Sequence, residues 1–502
     1  MTKSVEANTA RDGFISSQAH TMTELLEIQR AAFLRDGIPD AATRIDRITR
    51  LSSLLLDHAD EIAKALEADF GSRPRDLSIG SDVVGCMIDL THQRRSAKKW
   101  MKEINVAKGQ GLVGFKQRLR RDPLGVVGIM GPWNFPLQLT FVPAGSAFAA
   151  GNRVLMRPSS ITAQTTDLIA ELAPEYFSVE ELAVITSKHG SGSDFAKLEF
   201  DHLFFTGSPE VGRSVAVEAA KNLVPVTLEL GGKNPAVVDV DADIDKAAKF
   251  LADARMINGG QVCLCPDYVF VPEAKLNEFT DKVVARWKEM FPSIRSNHEY
   301  TAIINEKNFT RIVNLIDDAE KLGATKRQVI PAGESLPDVE TRKIPPTLLT
   351  GVEADMEIEK DEVFGPVLTV YPYRKLGEAI SHIASRPHPL TMYWAGDDNE
   401  NLQKLADGTR SGSINANDFG LHLLSSGLPF GGVGQSGMGN YHGQFGFETF
   451  SQARAVAIST LPLSVAEMMV PPFTDRDKKM TNRQLSFWKR LNNRAIKRLG
   501  KR

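Results

Sequence analysis

The chain has 502 residues, enough for two or three domains sharing a sizeable buried core. Its formal net charge of −2 and 24% charged residues describe an ordinary globular surface, with no basic field to attract nucleic acid. Three cysteines (Cys86, Cys263 and Cys265) are too few for a disulfide framework, the N-terminal MTKSVEANTARDGF has no apolar signal core, and no apolar run reaches the roughly eighteen residues that cross a bilayer, so a reducing, cytoplasmic setting is expected.

From Thr21 to Leu34, Leu25, Leu26, Ile28, Ala32 and Phe33 recur at helical spacing behind a Thr21 to Glu24 capping box. A further helix is predicted from Ile45, Ile48, Leu51, Leu55, Ile62 and Leu66, which makes the N-terminal region helical. The segment KQRLRRDPL at 116–124 alternates and is strongly basic, which suits a solvent-facing hairpin able to pair with another subunit. From Leu124 short β-branched runs (LGVVGIM, RVLM, HLFF, PVTLEL and PAVVDV) alternate with helical stretches, the pattern of a parallel sheet with helices on both faces. Leu137 to Ala150 holds Pro143, Gly145 and Ser146 and reads as a buried helix packed closely against other backbone. A second α/β section begins near Gly231, with YVFV at 268–271, an amphipathic helix from Leu276 to Met290 and a strand VLTVYPY at 367–373. Between Asn482 and Leu499, Leu485, Trp488, Leu491, Ala495 and Leu499 share one helical face amid many Lys and Arg. A basic helix docked on the protein or solvated is expected there, with a peripheral membrane contact as the alternative.

Residues Gly432, Gly434 and Gly437 spell GxGxxG, but neither a buried strand before them nor a good helix after them is predicted. This stretch is therefore expected to be a tight loop at an active-site mouth or subunit interface. FFTGSPEVGR at 204–213 is the better phosphate candidate, because a buried strand runs into Gly207 and Ser208 and then into a helix with Pro209 in its first turn.

Cys263 lies in NGGQVCLCPDY, a glycine-lined turn that a substrate could approach, and a thiolate there would be a nucleophile for a carbonyl. An inert, buried thiol is the alternative. No spaced His or Cys cluster accompanies Cys265, so no metal site is expected. Glu229 interrupts the apolar strand PVTLEL just before a Gly-Gly break; it is either a general base raised by desolvation or the partner of Lys233 in a salt bridge. Asn134, in IMGPWNFPL, either bonds its own backbone in the turn or donates its amide to a developing oxyanion.

Taken in order, GPWNFPL, FFTGSPEVGR, LELGGKNP, GQVC, DEVFGPV and LPFGGVGQSGMGNYHG resemble the aldehyde dehydrogenase superfamily, over about Leu124 to Phe450. CPDYVFV and SGMGNYHGQFGFETFS look like the class 3 branch, and RAAFLRDGIPDAATRIDRITRL leans towards its coniferyl aldehyde group. The resemblance implies two Rossmann-like parallel-sheet domains and a small β oligomerisation extension. Residues 1–107 and 124–230 would bind NAD or NADP, 231–415 would carry the nucleophile, 108–123 and 424–460 would form the extension, and 461–502 a basic tail.

It further implies that Cys263 is the nucleophile, Glu229 the base for a deacylating water, and Asn134 an oxyanion donor beside the Cys263 N–H. Trp133, Arg157, Ser160, Gly207, Ser208, Gly212, Leu230, Glu362 and Phe364 would surround the cofactor. Relatives commonly have Lys-Pro-Ser-Glu where this chain has Arg157 to Ser160, so a 2′-phosphate would meet no repelling carboxylate and NADP should be accepted readily. The expected activity is oxidation of an aromatic or a medium or long aliphatic aldehyde to the acid through a thioester, in a homodimer or homotetramer. A thiol-dependent ester hydrolase and a coenzyme A-acylating dehydrogenase are the alternatives.

Overall fold

A computed structural model describes residues 20–106, 114–460 and 464–499. Residues 1–19, residues 108–113 of the expected extension, and 461–463 and 500–502 of the tail lie outside them. Two compact units emerge: the larger runs to Lys102 and from Arg121 to Ala453, the smaller from Glu103 to Arg120 and from Arg454 onward.

The helical N-terminal region begins as expected. Helix Met22–Asp36 is closed by the Thr21 capping box, in which the Thr21 hydroxyl accepts from the Glu24 N–H and the Glu24 carboxylate accepts from the Thr21 N–H. The next helix is two rather than one: Ala41–Asp57 and Ala59–Phe70 are separated by His58, whose backbone leaves the helical region. The break costs no apolar contact, because Ile48, Leu51, Leu55, Ile62 and Leu66 all reach the same core.

Among the described residues sixteen strands follow in chain order: β1 Ile104–Asn105, β2 Phe115–Pro123, β3 Val126–Met130, β4 Arg153–Arg157, β5 Leu182–Val184, β6 His202–Gly207, β7 Val226–Leu230, β8 Asn234–Val238, β9 Pro266–Pro272, β10 Thr325–Gln328, β11 Thr347–Thr350, β12 Val367–Tyr373, β13 Thr391–Ala395, β14 Ser413–Ala416, β15 Gly437–Met438 and β16 Ser451–Ser459. The six-stranded sheet has the order β15-β7-β6-β3-β4-β5 and is parallel except for β15. Removing β15 leaves the Rossmann order, with its switch point between β3 and β6. The seven-stranded sheet, β10-β11-β12-β9-β8-β13-β14, is parallel except for the β10 edge. β1, β2 and β16 form a separate three-stranded sheet, and KQRLRRDPL supplies most of β2 as a half-buried strand.

Helix Gln138–Ala150 is buried along almost its whole length and packs on helix Gly85–Trp100, where Gln93 Nε2 donates to the Val142 carbonyl and to Ser146 Oγ. A Cβ at Gly145 would strike the Gln93 and Leu90 side chains, so the close packing expected there is against side chains rather than other backbone. Of residues 424–460, those up to Ala453 fall in the larger unit, where β15 lies antiparallel on β7 and helix Gly443–Thr449 meets helix Gln138–Ala150 at Ser146.

Candidate active site

In an open parallel sheet the loops at the carboxyl ends of the strands flanking the switch point diverge and leave a crevice. Here those loops follow β3 and β6: the first carries Trp133 and Asn134, the second Gly207 and Ser208. The next strand outward, β7, carries Glu229 one residue before its end.

Cys263 sits in the turn entering β9. The chain reaches it through Asn258, Gly259 and Gly260, all at positive φ, and a Cβ on Gly260 would overlap the Gly365 carbonyl, so only glycine fits. Asn234, at the start of β8, donates Nδ2 to the Cys263 carbonyl (2.7 Å) and to the Cys265 carbonyl (3.1 Å), while its Oδ1 accepts from the Thr391 N–H. The main chain at the thiol is thereby fixed from both sides. Cys265 points the other way and donates Sγ–H to the Ala254 carbonyl (3.2 Å) from within the core, its pKa pushed up to about 12 chiefly by burial. Cys263 remains partly exposed. Desolvation, then the Glu362 carboxylate, raise its thiol above the ordinary range, with Cys265 and Glu229 contributing. Among the described residues no group of three His, Cys, Asp or Glu is gathered as a metal site requires.

Glu229 is 2% exposed, and both carboxyl oxygens are buried with no hydrogen-bond partner among the described residues. Burial alone raises its pKa well above the usual carboxylate value. The salt-bridge reading fails, because Lys233 turns to Asp267 and to the Ile358 and Asp361 carbonyls. Asp267 also accepts from the Val363 N–H (2.9 Å), tying the cysteine strand to the loop that carries Glu362. That carboxyl lies against Gly231, where any Cβ would collide with it, and burial followed by the Asp267 charge raises its pKa as well.

The amide of Asn134 does not turn back on its own backbone. Its Nδ2 donates to the Gln261 carbonyl (3.1 Å), two residues before the thiol, which engages one amide hydrogen and leaves the other. Gln261 is itself locked, Nε2 to the Asn258 and Ala302 carbonyls and Oε1 to the Ile304 N–H. The structure therefore links Asn134 to the cysteine turn directly and Glu229 to it electrostatically.

Around the expected cofactor crevice, Ser208 caps the thirteen-residue helix Pro209–Lys221 by accepting from the Val211 N–H, with Pro209 at its first position. Gly212 lies where a Cβ would strike the Leu230 side chain, so the helix approaches β7 closely. The Trp133 ring meets Phe364 edge-on at 5.4 Å, and Phe364 itself holds a positive φ. Ser160 is exposed. Arg157 is buried, and its two terminal nitrogens donate to the Thr186 and Gly190 carbonyls, so its guanidinium is engaged within the protein. The GxGxxG glycines form a tight turn bridged at Gly434 and Gly437 and laid on β7, with Gly437 opposite Glu229 and the Leu230 N–H bonded to the Ser436 carbonyl.

Sequence reasoning missed Asn234, Gln261 and Asn258. Their only trace is amide residues flanking glycines, in GGKNP and NGGQ, and nothing in the spacing says which carbonyl each would hold.

A family model described as the aldehyde dehydrogenase family matches residues 16–456. A probable coniferyl aldehyde dehydrogenase of Caulobacter vibrioides is 41% identical over 472 residues, covering 93% of this chain and 97% of that protein. A dimeric, NADP-preferring aldehyde dehydrogenase of Mus musculus is 35% identical over 419 residues, 83% of this chain and 90% of that one. Among solved structures, the substrate-bound state of Staphylococcus aureus AldH has a TM-score of 0.84 at 31% identity and covers 92% of this chain and 99% of that chain. The hydrolase and coenzyme A-acylating alternatives find no support in these likenesses.

Proposed function

Because the chain belongs to the aldehyde dehydrogenase family and oxidises an aldehyde with NAD or NADP, we propose that its substrate is an aromatic aldehyde of the coniferyl type and that oxidation runs through a thioester on Cys263. The observation that carries the mechanism is a carboxyl, Glu229, buried at the end of β7 with no hydrogen-bond partner among the described residues. A structural carboxylate is paired or hydrogen-bonded; one left bare in a core has a raised proton affinity, the property a general base needs once it is ionised.

Cys263 Sγ adds to the aldehyde carbonyl, and the developing alkoxide is met by the remaining Asn134 amide hydrogen and the Cys263 N–H, an effect typically worth about a hundredfold to a thousandfold in rate. Bound nicotinamide supplies the hydride acceptor. Glu229 then takes a proton from water as that water attacks the thioester, which releases the acid and the free thiol. The crevice at the β3 and β6 ends, the capped helix Pro209–Lys221, Glu362 and Phe364 fit the cofactor: the helix end is an anion site and the Trp133–Phe364 pair an aromatic wall. Assembly as a dimer or tetramer and residence in the cytoplasm belong to the same proposal.

Absorbance of reduced nicotinamide, followed with aromatic and aliphatic aldehydes and without coenzyme A, tests it. Wild-type enzyme should show its highest kcat/KM on hydroxycinnamyl aldehydes. Cys263→Ser should lose oxidation by about a thousandfold or more. Retained activity in that variant would remove the thioester, and equal efficiency on long aliphatic aldehydes would remove the substrate assignment.

A further inference from the structure

Outside the residues that meet the substrate, the least ordinary feature of the larger unit is an ion pair with no exposure at all. Arg73 Nη2 donates to Asp82 Oδ2 at 2.7 Å, and both side chains are 0% exposed. On average such a pair stabilises no better than apolar residues of the same shape, so its presence asks what it positions.

Its remaining bonds answer that. Arg73 Nη1 donates to the Asn134 carbonyl (3.0 Å), which also accepts from Asn258 Nδ2 (3.3 Å). Asp82 Oδ1 accepts from the Leu137 N–H (3.0 Å) and the Gln138 N–H (3.3 Å), the first donors of helix Gln138–Ala150, whose own N-cap Leu137 offers no side-chain cap. The pair therefore grips the loop after β3 at two points, Asn134 itself and three residues beyond. The guanidinium lies 4.8 Å from the Phe70 ring centre and 5.2 Å from that of Phe135, which bracket it and hold its plane. Asp82 reaches inward from the wide turn Ile79–Val84, a π-helical stretch of the sort that re-aims side chains near functional sites.

We propose that Arg73 and Asp82 are positioning residues for the oxyanion donor, fixing the Asn134 main chain so that its amide stays aligned on the carbonyl held at Cys263. This rests on the reading of Asn134 as that donor. A displacement of about 1 Å in such a donor is enough to cost roughly a hundredfold in rate. Lysine at position 73 keeps the charge beside Asp82 but lacks the second, fixed nitrogen that reaches the Asn134 carbonyl.

The experiment is a double-mutant cycle on the full chain, read by the rapid-mixing rate of nicotinamide reduction, with thermal unfolding alongside. Arg73→Lys should slow reduction by about 10- to 100-fold, with aldehyde KM changed less than about threefold. In an Asn134→Ala background the same exchange should have under about a twofold further effect, because the group being aimed is gone. Equal fold-losses in both backgrounds, or no loss in the single variant, would overturn the proposal. If Asn134→Ala alone leaves reduction at the wild-type rate, the reading of Asn134 fails instead. Should Arg73→Lys fail to fold, Asp82→Asn, which can still accept from the Leu137 N–H, carries the same cycle with the same expected non-additivity.

Discussion

Glu229 is where function and stability oppose one another. Folding removes its carboxyl from water and gives it no partner among the described residues, so its pKa is higher folded than unfolded. Between the ordinary carboxylate range and that raised value the native state binds the extra proton, and stability falls as pH rises through the window. Glu229→Gln removes the titration and is expected to raise Tm at pH 9 by about 2 °C relative to wild type, with a smaller gain at pH 5. The same exchange should slow steady-state turnover by about 10²- to 10⁴-fold while leaving a first-turnover burst of reduced nicotinamide, since water activation is lost and sulfur attack is not. Loss of the burst, or a lower Tm at high pH, would count against this role. The Cys263 thiol is also raised by burial, so acylation in wild type should rise with pH over the neutral to alkaline range. Both groups were legible in the chain because each breaks a local rule: an acid inside an apolar strand, a thiol between glycines and a proline. Arg73, Asp82 and Asn234 were not, because their partners lie 61, 55 and 29 residues away and a lone charged or amide residue carries no record of which carbonyl or N–H it will meet.

At the scale of elements, the strongly patterned segments were readable: the capped first helix, the buried helix Gln138–Ala150, the strand running into Ser208, and the amphipathic helix Leu276–Met290. What escaped was decided by partners rather than by period. A single pattern from Ile45 to Leu66 hides the break at His58, because residues on both sides of it feed one core. The GxGxxG turn gains its place as an edge strand only from pairing with β7, some two hundred residues earlier in the chain. Helix Pro209–Lys221 combines both aspects. Its capped N-terminus is set by Ser208 and Pro209, but its distance from β7 is set by Gly212 against Leu230. Gly212→Val should push the helix off the strand and misplace the amides at its start. KM for NAD and NADP is then expected to rise about tenfold or more, with a stability loss of about 1–3 kcal/mol from overpacking. Cofactor titration by fluorescence and denaturant unfolding measure the two effects, and an unchanged cofactor KM would detach this helix from the cofactor.

Across the whole molecule, charge is divided unevenly. The last helix, Asp475–Leu499, holds nine Lys and Arg against two Asp, in a chain whose formal net charge is −2, so the remainder is acidic. The sequence pattern placed this helix from Asn482; the structure begins it seven residues earlier, since Asp475 and Asp477 favour a helix start. No described residue of it is buried. Leu485, Phe487, Trp488 and Ile496 are each more than half exposed, and no described helix is long and apolar enough to cross a membrane. The segment's nine Lys and Arg make it a source of attraction to an anionic surface in a chain whose remainder is acidic on balance. Vesicle flotation equal with and without residues 475–502 would eliminate such a contact. None of the residues assigned to the chemistry lies in the segment, and exposed residues contribute little to the core. Deleting 475–502 is therefore expected to leave kcat/KM within about twofold and Tm within about 1 °C of the full chain. A larger loss of turnover at unchanged Tm would mean that the basic helix completes a site, and sedimentation of the two forms would show whether it does so across a subunit boundary.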